Sequence, residues 1–333
     1  DGDSNGHNTA VGSKSQLNAT TGEFNTSLGS LSMGAGVATG DANVALGYNT
    51  GQALTSGTSN TLLGALAGDA LTTGDANVAI GYAALGAEDD NGANVAMGYQ
   101  ALTTLNAGAN GFNIAVGYQA GLAMTTGVNN TIMGSLAGDA LTTGVNNTAI
   151  GLGALGTEDT GGQNVAVGVN ALATLNFAGN GLNTAVGYAA GAAITTGKEN
   201  TLLGGNAGDS LTTGEKNVAI GKGALLSEDT GQRNVAIGHG ALQTLNFDGT
   251  GYNVAIGHDA GVSMSTGVNN TLIGGQAGDA LTTGFNNVAI GKGALSTATT
   301  SDFNTAVGYQ ALEDYNDGDS NGHNTAVGSK SQL

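Results

Sequence analysis

Residues 77–81 read Asn-Val-Ala-Ile-Gly, and this pattern decides how the whole chain is interpreted. An Asn, any residue, a small or aliphatic residue, an aliphatic residue and a Gly follow one another nineteen times between Asn8 and Asn324, at spacings of 17 to 20 residues. Repetition at a short period is typical of architectures in which each unit stacks on the next. The chain is therefore predicted to be a solenoid in which each repeat is one coil, with the Asn as position one.

Two longer periods lie above the coil. Coil lengths settle into a cycle of 17, 17, 17 and 19 residues, a four-coil superrepeat of 70 residues marked by Asn94, Asn164, Asn234 and Asn304. In addition, residues 1–17 recur unchanged as residues 317–333, a shift of 316 residues. We expect residues 1–333 to form a single continuous β-solenoid, taken from a longer parent chain that carries tandem 316-residue blocks.

The motif itself predicts a short β-strand, because Val-Ala-Ile is β-branched and alternating, while Thr-Thr-Gly and Glu-Asp-Thr-Gly-Gly are turn sequences. Each coil is expected to contain this strand, a Gly corner, a second short extended segment and a polar turn. The predicted fold class is all-β, a parallel β-solenoid or β-roll of about nineteen coils of 17 to 20 residues. At a strand spacing of ~4.8 Å the stack would be a rod of roughly 90 Å.

Each row of equivalent positions has an expected place. The aliphatic residue at position four is expected to fill the core, and the small residue at position eight to fit a tight corner. Larger residues occur at position three in every fourth coil, and these are expected to mark an outward apolar seam between chains. They are Leu62, Ile132, Leu202 and Leu272.

The repeated Asn and Gly of the motif are predicted to hold the stack together. Asn side chains stacked at the strand spacing can pass amide hydrogen bonds from coil to coil, forming an Asn ladder. The Gly at position five is expected where the backbone needs positive φ or a close approach. The ladder rows include Asn8, Asn77, Asn147, Asn217 and Asn287, with Gly12, Gly81, Gly151, Gly221 and Gly291.

The composition narrows the functional classes. The 333 residues include 61 Gly and no Pro, Cys or Trp, and the formal net charge is −18. This charge disfavours nucleic acid and anionic lipid as partners. The lack of Cys excludes disulfides and thiolate metal sites, and no apolar run is long enough for membrane insertion. We expect an extracellular or cell-surface location, or a virion appendage.

The pattern NVAIGxxA followed by TTGxxN resembles the head repeats of trimeric autotransporter adhesins and related Gly/Asn-rich repeats of phage tail fibres. The resemblance covers nearly the whole chain. It implies a left-handed parallel β-roll, three chains side by side as a homotrimer, and passive adhesion to a cell-surface receptor.

Enzymatic chemistry is not expected, because a solenoid repeats like residues along a line instead of converging unlike residues in a cavity. No catalytic or cofactor-binding residue is predicted. His239 and His258 occupy position six of consecutive coils and are interpreted as exposed side chains, with a metal or catalytic pair as the alternative. The carboxylates at Glu88-Asp89, Glu158-Asp159 and Glu228-Asp229 are interpreted as charge spread along the surface, with cation binding as the alternative. The same interpretation applies to Asp69, Asp139, Asp209 and Asp279.

One segment resembles half of a calcium loop. Asp317, Asp319 and Asn321 precede Gly322 in the pattern D-x-[DN]-x-[DN]-G. The same pattern recurs earlier as Asp1, Asp3 and Asn5. The glutamate that ends such a loop is replaced by Gly in both copies, so a solvated turn is the favoured interpretation and Ca²⁺ the alternative. No cofactor is required by the sequence.

The function of the chain is expected to depend on the length of the stack of coils. The favoured hypothesis is a non-catalytic structural segment of an extracellular filament or fibre, which gives reach and stiffness and contributes to attachment. Its expected partners are further copies of itself, as a homotrimer or a head-to-tail tandem fibre. The alternative is a receptor-binding adhesin head or tail-fibre shaft. Paired Thr residues also raise ice binding, which is weaker because the Thr array is interrupted.

Overall fold

The computed structural model describes residues 6–108, 110–315 and 322–332. Its contacts group into two compact units, Asp1–Asn164 and Val165–Leu333. Each unit is built from three-residue strands, and no helix occurs among the described residues. Every strand begins at position two of its coil.

The first unit contains nine strands in its described residues. They are β1 (Thr9–Val11), β2 (Thr26–Leu28), β3 (Val44–Leu46), β4 (Thr61–Leu63), β5 (Val78–Ile80), β6 (Val95–Met97), β7 (Ile114–Val116), β8 (Thr131–Met133) and β9 (Thr148–Ile150). The second unit contains ten strands over the part of the chain that is described. They are β10 (Val165–Val167), β11 (Thr184–Val186), β12 (Thr201–Leu203), β13 (Val218–Ile220), β14 (Val235–Ile237), β15 (Val254–Ile256), β16 (Thr271–Ile273), β17 (Val288–Ile290), β18 (Thr305–Val307) and β19 (Thr325–Val327).

Strands pair in parallel with the strand of the next coil, and the register never slips. In β5 and β6, for example, Ala79 lies opposite Ala96, so position three faces position three. The same pairing runs from β1 to β9 in the first unit and from β10 to β19 in the second. The predicted fold class, an all-β parallel solenoid with one motif per coil, is confirmed.

The corner after each strand requires Gly. At Gly81 φ is +133°, a conformation that side chains rarely adopt. A Cβ there would lie only 2.3 Å from the carbonyl oxygen of Gly98, the equivalent residue of the next coil. The predicted Gly row has the same conformation: φ is +131° at Gly12 and Gly151, +130° at Gly221 and +134° at Gly291.

The predicted second extended segment is wrong, because a chain of turns follows the corner instead. The amide of Ala101 donates to the carbonyl of Gly98, closing a turn at 3.4 Å. Gln100 and Leu102 have φ of +54° and +49°, so the backbone alternates into the left-handed region at positions seven and nine. These residues still bond between coils, as when the Gln100 amide donates to the carbonyl of Tyr82 at 2.9 Å.

The core lies behind position three, and the prediction for position four is wrong. Ala79 is fully buried, whereas the next residue, Ile80, is only half-buried and Val11 is exposed. Leu62, Ile132, Leu202 and Leu272 are also fully buried, so the predicted outward seam at position three is wrong too. The reason is strand alternation: position three shares its face with the buried Asn at position one, so positions two and four face outward.

Large and small residues exchange places inside the coils. Leu202 at position three fills the space beside Gly191 and Gly208, which occupy position nine of the preceding coil and of its own coil. In the next coil position three is Ala219 and position nine is the buried Leu225. This alternation follows the superrepeat, since each coil with Leu or Ile at position three has Gly at position nine.

Candidate functional site

Within each unit, the Asn row connects successive described coils. The Asn217 side chain donates from Nδ2 to the carbonyl of Gly231 at 2.8 Å, which closes its own coil. Its Oδ1 accepts from the backbone amide of Asn234 in the next coil at 2.9 Å. Asn217 is fully buried, so both contacts lie away from water, where hydrogen bonds are strongest and costly to leave unmade.

The other Asn residues that carry the predicted ladder make the same coil-closing bond. Nδ2 donates from Asn8 to Gly22 at 2.6 Å, from Asn77 to Asn91 at 2.9 Å, from Asn147 to Gly161 at 2.9 Å and from Asn287 to Ser301 at 2.8 Å. Each acceptor is a backbone carbonyl near the end of the same coil. These amides therefore hold the stack together.

The surface-charge interpretation is wrong for the repeated glutamates. Glu88, Glu158 and Glu228 are fully buried, because each occupies position twelve, where most other coils place Leu, Met or Ile in the core. The Glu228 carboxylate accepts from the amide of Gly231 at 2.8 Å, and Glu158 accepts from the amide of Gly161 at 2.6 Å. The carboxylates replace a core side chain and tie down the turn that follows.

Burial changes the proton affinity of several carboxylates. Desolvation raises the pKa of Glu88, against hydrogen bonds from Asn91 that lower it. Desolvation likewise raises the pKa of Glu228. The half-buried carboxylates of Asp69, Asp139 and Asp279 also have a pKa raised by desolvation. These groups are more easily protonated than ordinary surface acids.

The outer strand face, formed by positions two and four, presents apolar side chains to solvent. Its exposed members include Leu28, Val44, Leu63, Met97, Ile114 and Met133 in the first unit, and Leu203, Ile290 and Val327 in the second. Beside this face, position six carries a stack of tyrosines: the rings of Tyr82 and Tyr99 lie 5.3 Å apart and those of Tyr99 and Tyr118 lie 5.4 Å apart. Contiguous exposed apolar surface is a feature that many interaction sites have in common.

Two surface clefts lie at equivalent places in successive superrepeats of the second unit. One, of about 510 Å³, is lined by residues that include Asn206, Asp209, Lys222, His239 and Gln243. The other, of about 300 Å³, is lined by residues that include Gln276, Asp279, Lys292, Tyr309 and Glu313. Both are lined by amide and carboxylate side chains, a lysine and a ring.

The remaining predicted residues fall in two groups. His239 and His258 are exposed, as the sequence predicts, and their rings stack at 5.2 Å. The calcium residues Asp317, Asp319 and Asn321, with Asp1, Asp3 and Asn5, lie outside the described residues. Asp259, beside the two histidines, is a residue that sequence reasoning missed, because it lies in the turn after the strand, where strand alternation does not give the direction of a side chain.

No protein-family model matches the sequence, and no curated protein is significantly similar to it. Within the part of the chain that the structure describes, there is also no long apolar helix of the kind that crosses a membrane.

Proposed function

We propose that this chain is a non-catalytic structural segment of an extracellular filament or fibre, which provides reach and stiffness. The observation that carries the proposal is the repeated contact pattern. In each unit, coil after coil makes the same strand pairing and the same buried Asn bonds. Repeat proteins of this kind gain stability from nearest neighbours, so coils can be added without redesigning the fold.

The duplicated ends support the proposal. The imidazole of His7 stacks on Phe24 at 5.2 Å, and His323, its sequence equivalent, stacks on Phe303 at 4.8 Å. In a tandem chain of 316-residue blocks, one such imidazole would have a phenyl ring on each side. These two stacking contacts favour a stack that continues from one block to the next.

Self-association through the outer strand face is part of the same proposal. Val, Ile, Leu and Met side chains occupy this face, and burying them against a second copy removes apolar surface from water. A homotrimer is the arrangement that the resemblance to adhesin head repeats implies. A head-to-tail tandem fibre uses the ends of the stack instead, and the two arrangements are compatible.

Electron microscopy of chains with one and two 316-residue blocks tests the proposal, with analytical ultracentrifugation to count chains. We expect particles of constant width whose length doubles with the second block. A particle that widens in all directions, or a second block that remains unfolded, would contradict a fibre role.

The alternative is a receptor-binding adhesin head or tail-fibre shaft. It is favoured by the loops at residues 106–111, 176–181 and 246–251, which recur at one place in the superrepeat but differ in sequence. The two polar clefts support it as well. Saturable binding of the purified chain to cells, lost when the loop at 246–251 is exchanged for that at 106–111, would favour this function.

Ice binding has the least support. In the pairs that begin at Thr72, Thr125, Thr142, Thr195, Thr212 and Thr282, the first hydroxyl donates to a backbone carbonyl of the next coil, as when Thr142 Oγ1 donates to the carbonyl of Asp159 at 2.9 Å. The row of first Thr residues is therefore explained by coil-to-coil bonding. A thermal-hysteresis assay on the purified chain tests this directly.

A further inference from the structure

Two imidazoles and one carboxylate converge on the surface of the second unit. His239 and His258 occupy position six of consecutive coils, and their rings are nearly parallel, with 10° between the ring planes. Asp259 directs one carboxylate oxygen to each of them: Oδ2 lies 3.0 Å from Nδ1 of His258, and Oδ1 lies 3.8 Å from Nδ1 of His239. One ligand atom from each of the three side chains lies within 4.8 Å of the other two.

This combination is specific to one superrepeat. The equivalent positions two superrepeats earlier hold Tyr99, Tyr118 and Gln119. The Tyr rings stack there in the same way, at 5.4 Å, and Gln119 Nε2 donates to Gln100 Oε1 at 3.0 Å. Phenol and carboxamide are not among the usual ligands of zinc, whereas imidazole and carboxylate are. The backbone is therefore shared, and only the chemistry of the side chains differs.

A fourth difference from the earlier superrepeat makes room for the carboxylate. Gly240 replaces the residue equivalent to Gln100, and a Cβ at Gly240 would lie 2.4 Å from Asp259 Oδ1. The carboxylate thus occupies the space that a side chain at position seven of the preceding coil would fill. Together, the two histidines, Asp259 and the absence of a side chain at Gly240 place three ligand atoms close to one another.

We propose that His239, His258 and Asp259 bind one divalent transition-metal ion, such as Zn²⁺, Ni²⁺ or Cu²⁺. Bonds of about 2.0–2.2 Å require the ligand atoms to approach one another more closely than 4.8 Å. The exposed imidazoles, with 55% and 66% of their side-chain surface accessible, can make this adjustment by rotation. Ca²⁺ is disfavoured because it prefers oxygen ligands alone.

Three protein ligands leave coordination positions open on the ion. Because the cluster faces solvent, these positions are available to water or to a ligand from outside the chain. The inference is independent of the fibre proposal, since the cluster lies within one pair of coils.

Isothermal titration calorimetry of the full chain with ZnCl₂, in a buffer containing excess CaCl₂, tests the site. We expect one Zn²⁺ per chain. The variant His239→Tyr with His258→Tyr should lose this binding and keep its circular dichroism spectrum, because Tyr stacks at the equivalent positions of the first unit. A second variant, Gly240→Gln, should weaken binding by displacing Asp259 while retaining both imidazoles.

NMR spectra of the imidazole ring protons identify the ligands. We expect Zn²⁺ to shift the resonances of His239 and His258 and to leave those of His7 and His323 in place. A chain that takes up no Zn²⁺, or a double Tyr variant that binds as many Zn²⁺ ions as tightly as the original chain, would overturn the proposal.

Discussion

Gly204 and Gly205 are neighbours in the chain, but only Gly204 has a backbone conformation that side chains avoid. Its φ is +134°, and a Cβ on it would lie 2.7 Å from the carbonyl oxygen of Gly221. A Cβ on Gly205 would have no atom within 4 Å. Gly is thus required by the backbone at position five, whereas at position six it is not.

The first prediction compares these two glycines. Gly204→Ala should lower the free energy of unfolding by about 3 kcal/mol, since a strained φ and a backbone clash act together. Gly205→Ala should change it by less than about 0.5 kcal/mol. Urea unfolding followed by circular dichroism measures both. Equal effects of the two substitutions would show that the corner conformation does not limit stability.

The second prediction concerns the buried glutamates and pH. Burial raises the pKa of Glu88 and Glu228 above 4.5, their ordinary value. Between 4.5 and the raised pKa the folded chain binds protons that the unfolded chain does not. The stability that protonation of Glu88 and Glu228 contributes is therefore fully present below about pH 4.5. It is lost as the pH rises through the raised pKa.

Thermal unfolding at several pH values from 7 down to 5 checks this sign. We expect the melting temperature to rise on acidification, helped by the smaller net negative charge. Glu88→Gln removes one titrating group, so the dependence on pH should become less steep, whatever the variant's stability at pH 7. A melting temperature that falls steadily from pH 7 to pH 5 would be incompatible with protonation of the buried carboxyls.

At the scale of the coil, the core depends on the pairing of position three with position nine. Leu202→Ala should lower the free energy of unfolding by about 2–5 kcal/mol, because removing this buried side chain leaves a cavity beside two glycines. Adding Gly208→Leu should recover part of that loss, since it recreates the pairing of Ala219 with Leu225. The left-handed backbone suits Leu there: φ is +57° at Gly208 and +53° at Leu225.

A double-mutant cycle separates this effect from simple loss of hydrophobicity. Gly208→Leu alone should be destabilising, because its Cβ would lie 2.8 Å from Leu211 Cδ1 and 2.9 Å from Leu202 Cδ2. The coupling energy between the two sites should be at least about 1 kcal/mol. Leu203→Ala, on the outer strand face, is the matched control and should have little effect while the chain is monomeric. If the two substitutions change the free energy of unfolding additively, the side chains at positions three and nine do not compete for the same space.

The coil could be predicted from the sequence because its strongest signals are local. The repeated Asn and Gly mark the same place in every coil, and Val-Ala-Ile marks the strand. The inside and the outside of that strand could not be assigned by residue size. Ala79 is buried and Ile80 is only half-buried, whereas most of the largest buried side chains lie at positions nine and twelve. Counting alternate positions from the Asn would have identified the inner face.

Side chains outside the strand were harder to place. The Glu-Asp-Thr-Gly pattern predicts a surface turn at Glu228, although position twelve is Leu211 and Leu245 in the adjacent coils. That comparison was the available signal. The convergence of Asp259 on two histidines had no such signal, because it depends on the left-handed φ of +56° at Asp259 and on the absence of a side chain at Gly240.

At the scale of the whole molecule, superrepeat phase should matter more than length. A quasi-one-dimensional stack has roughly additive stability, provided that each new interface resembles a natural one. Deletion of residues 217–286 removes one superrepeat and places Ala289 and Leu295 next to Leu202. This interface reproduces the one that Ala219 and Leu225 normally make. We expect a folded chain with unchanged ellipticity per residue and a similar melting temperature.

Deletion of residues 200–216 is the contrasting case, because it removes one coil and breaks the phase. Gly191 would then face Ala219 and lose Leu202, whose Cδ1 now lies 2.6 Å from the Cβ position of Gly191. The cavity should lower the melting temperature more than the larger deletion does. If the 17-residue deletion proves the more stable of the two, coil number and not core pairing sets the stability of the stack. Calorimetry of the two chains compares their melting temperatures and decides between these outcomes. Adding Gly191→Leu to the 17-residue deletion should restore stability only if the cavity is the cause of the loss.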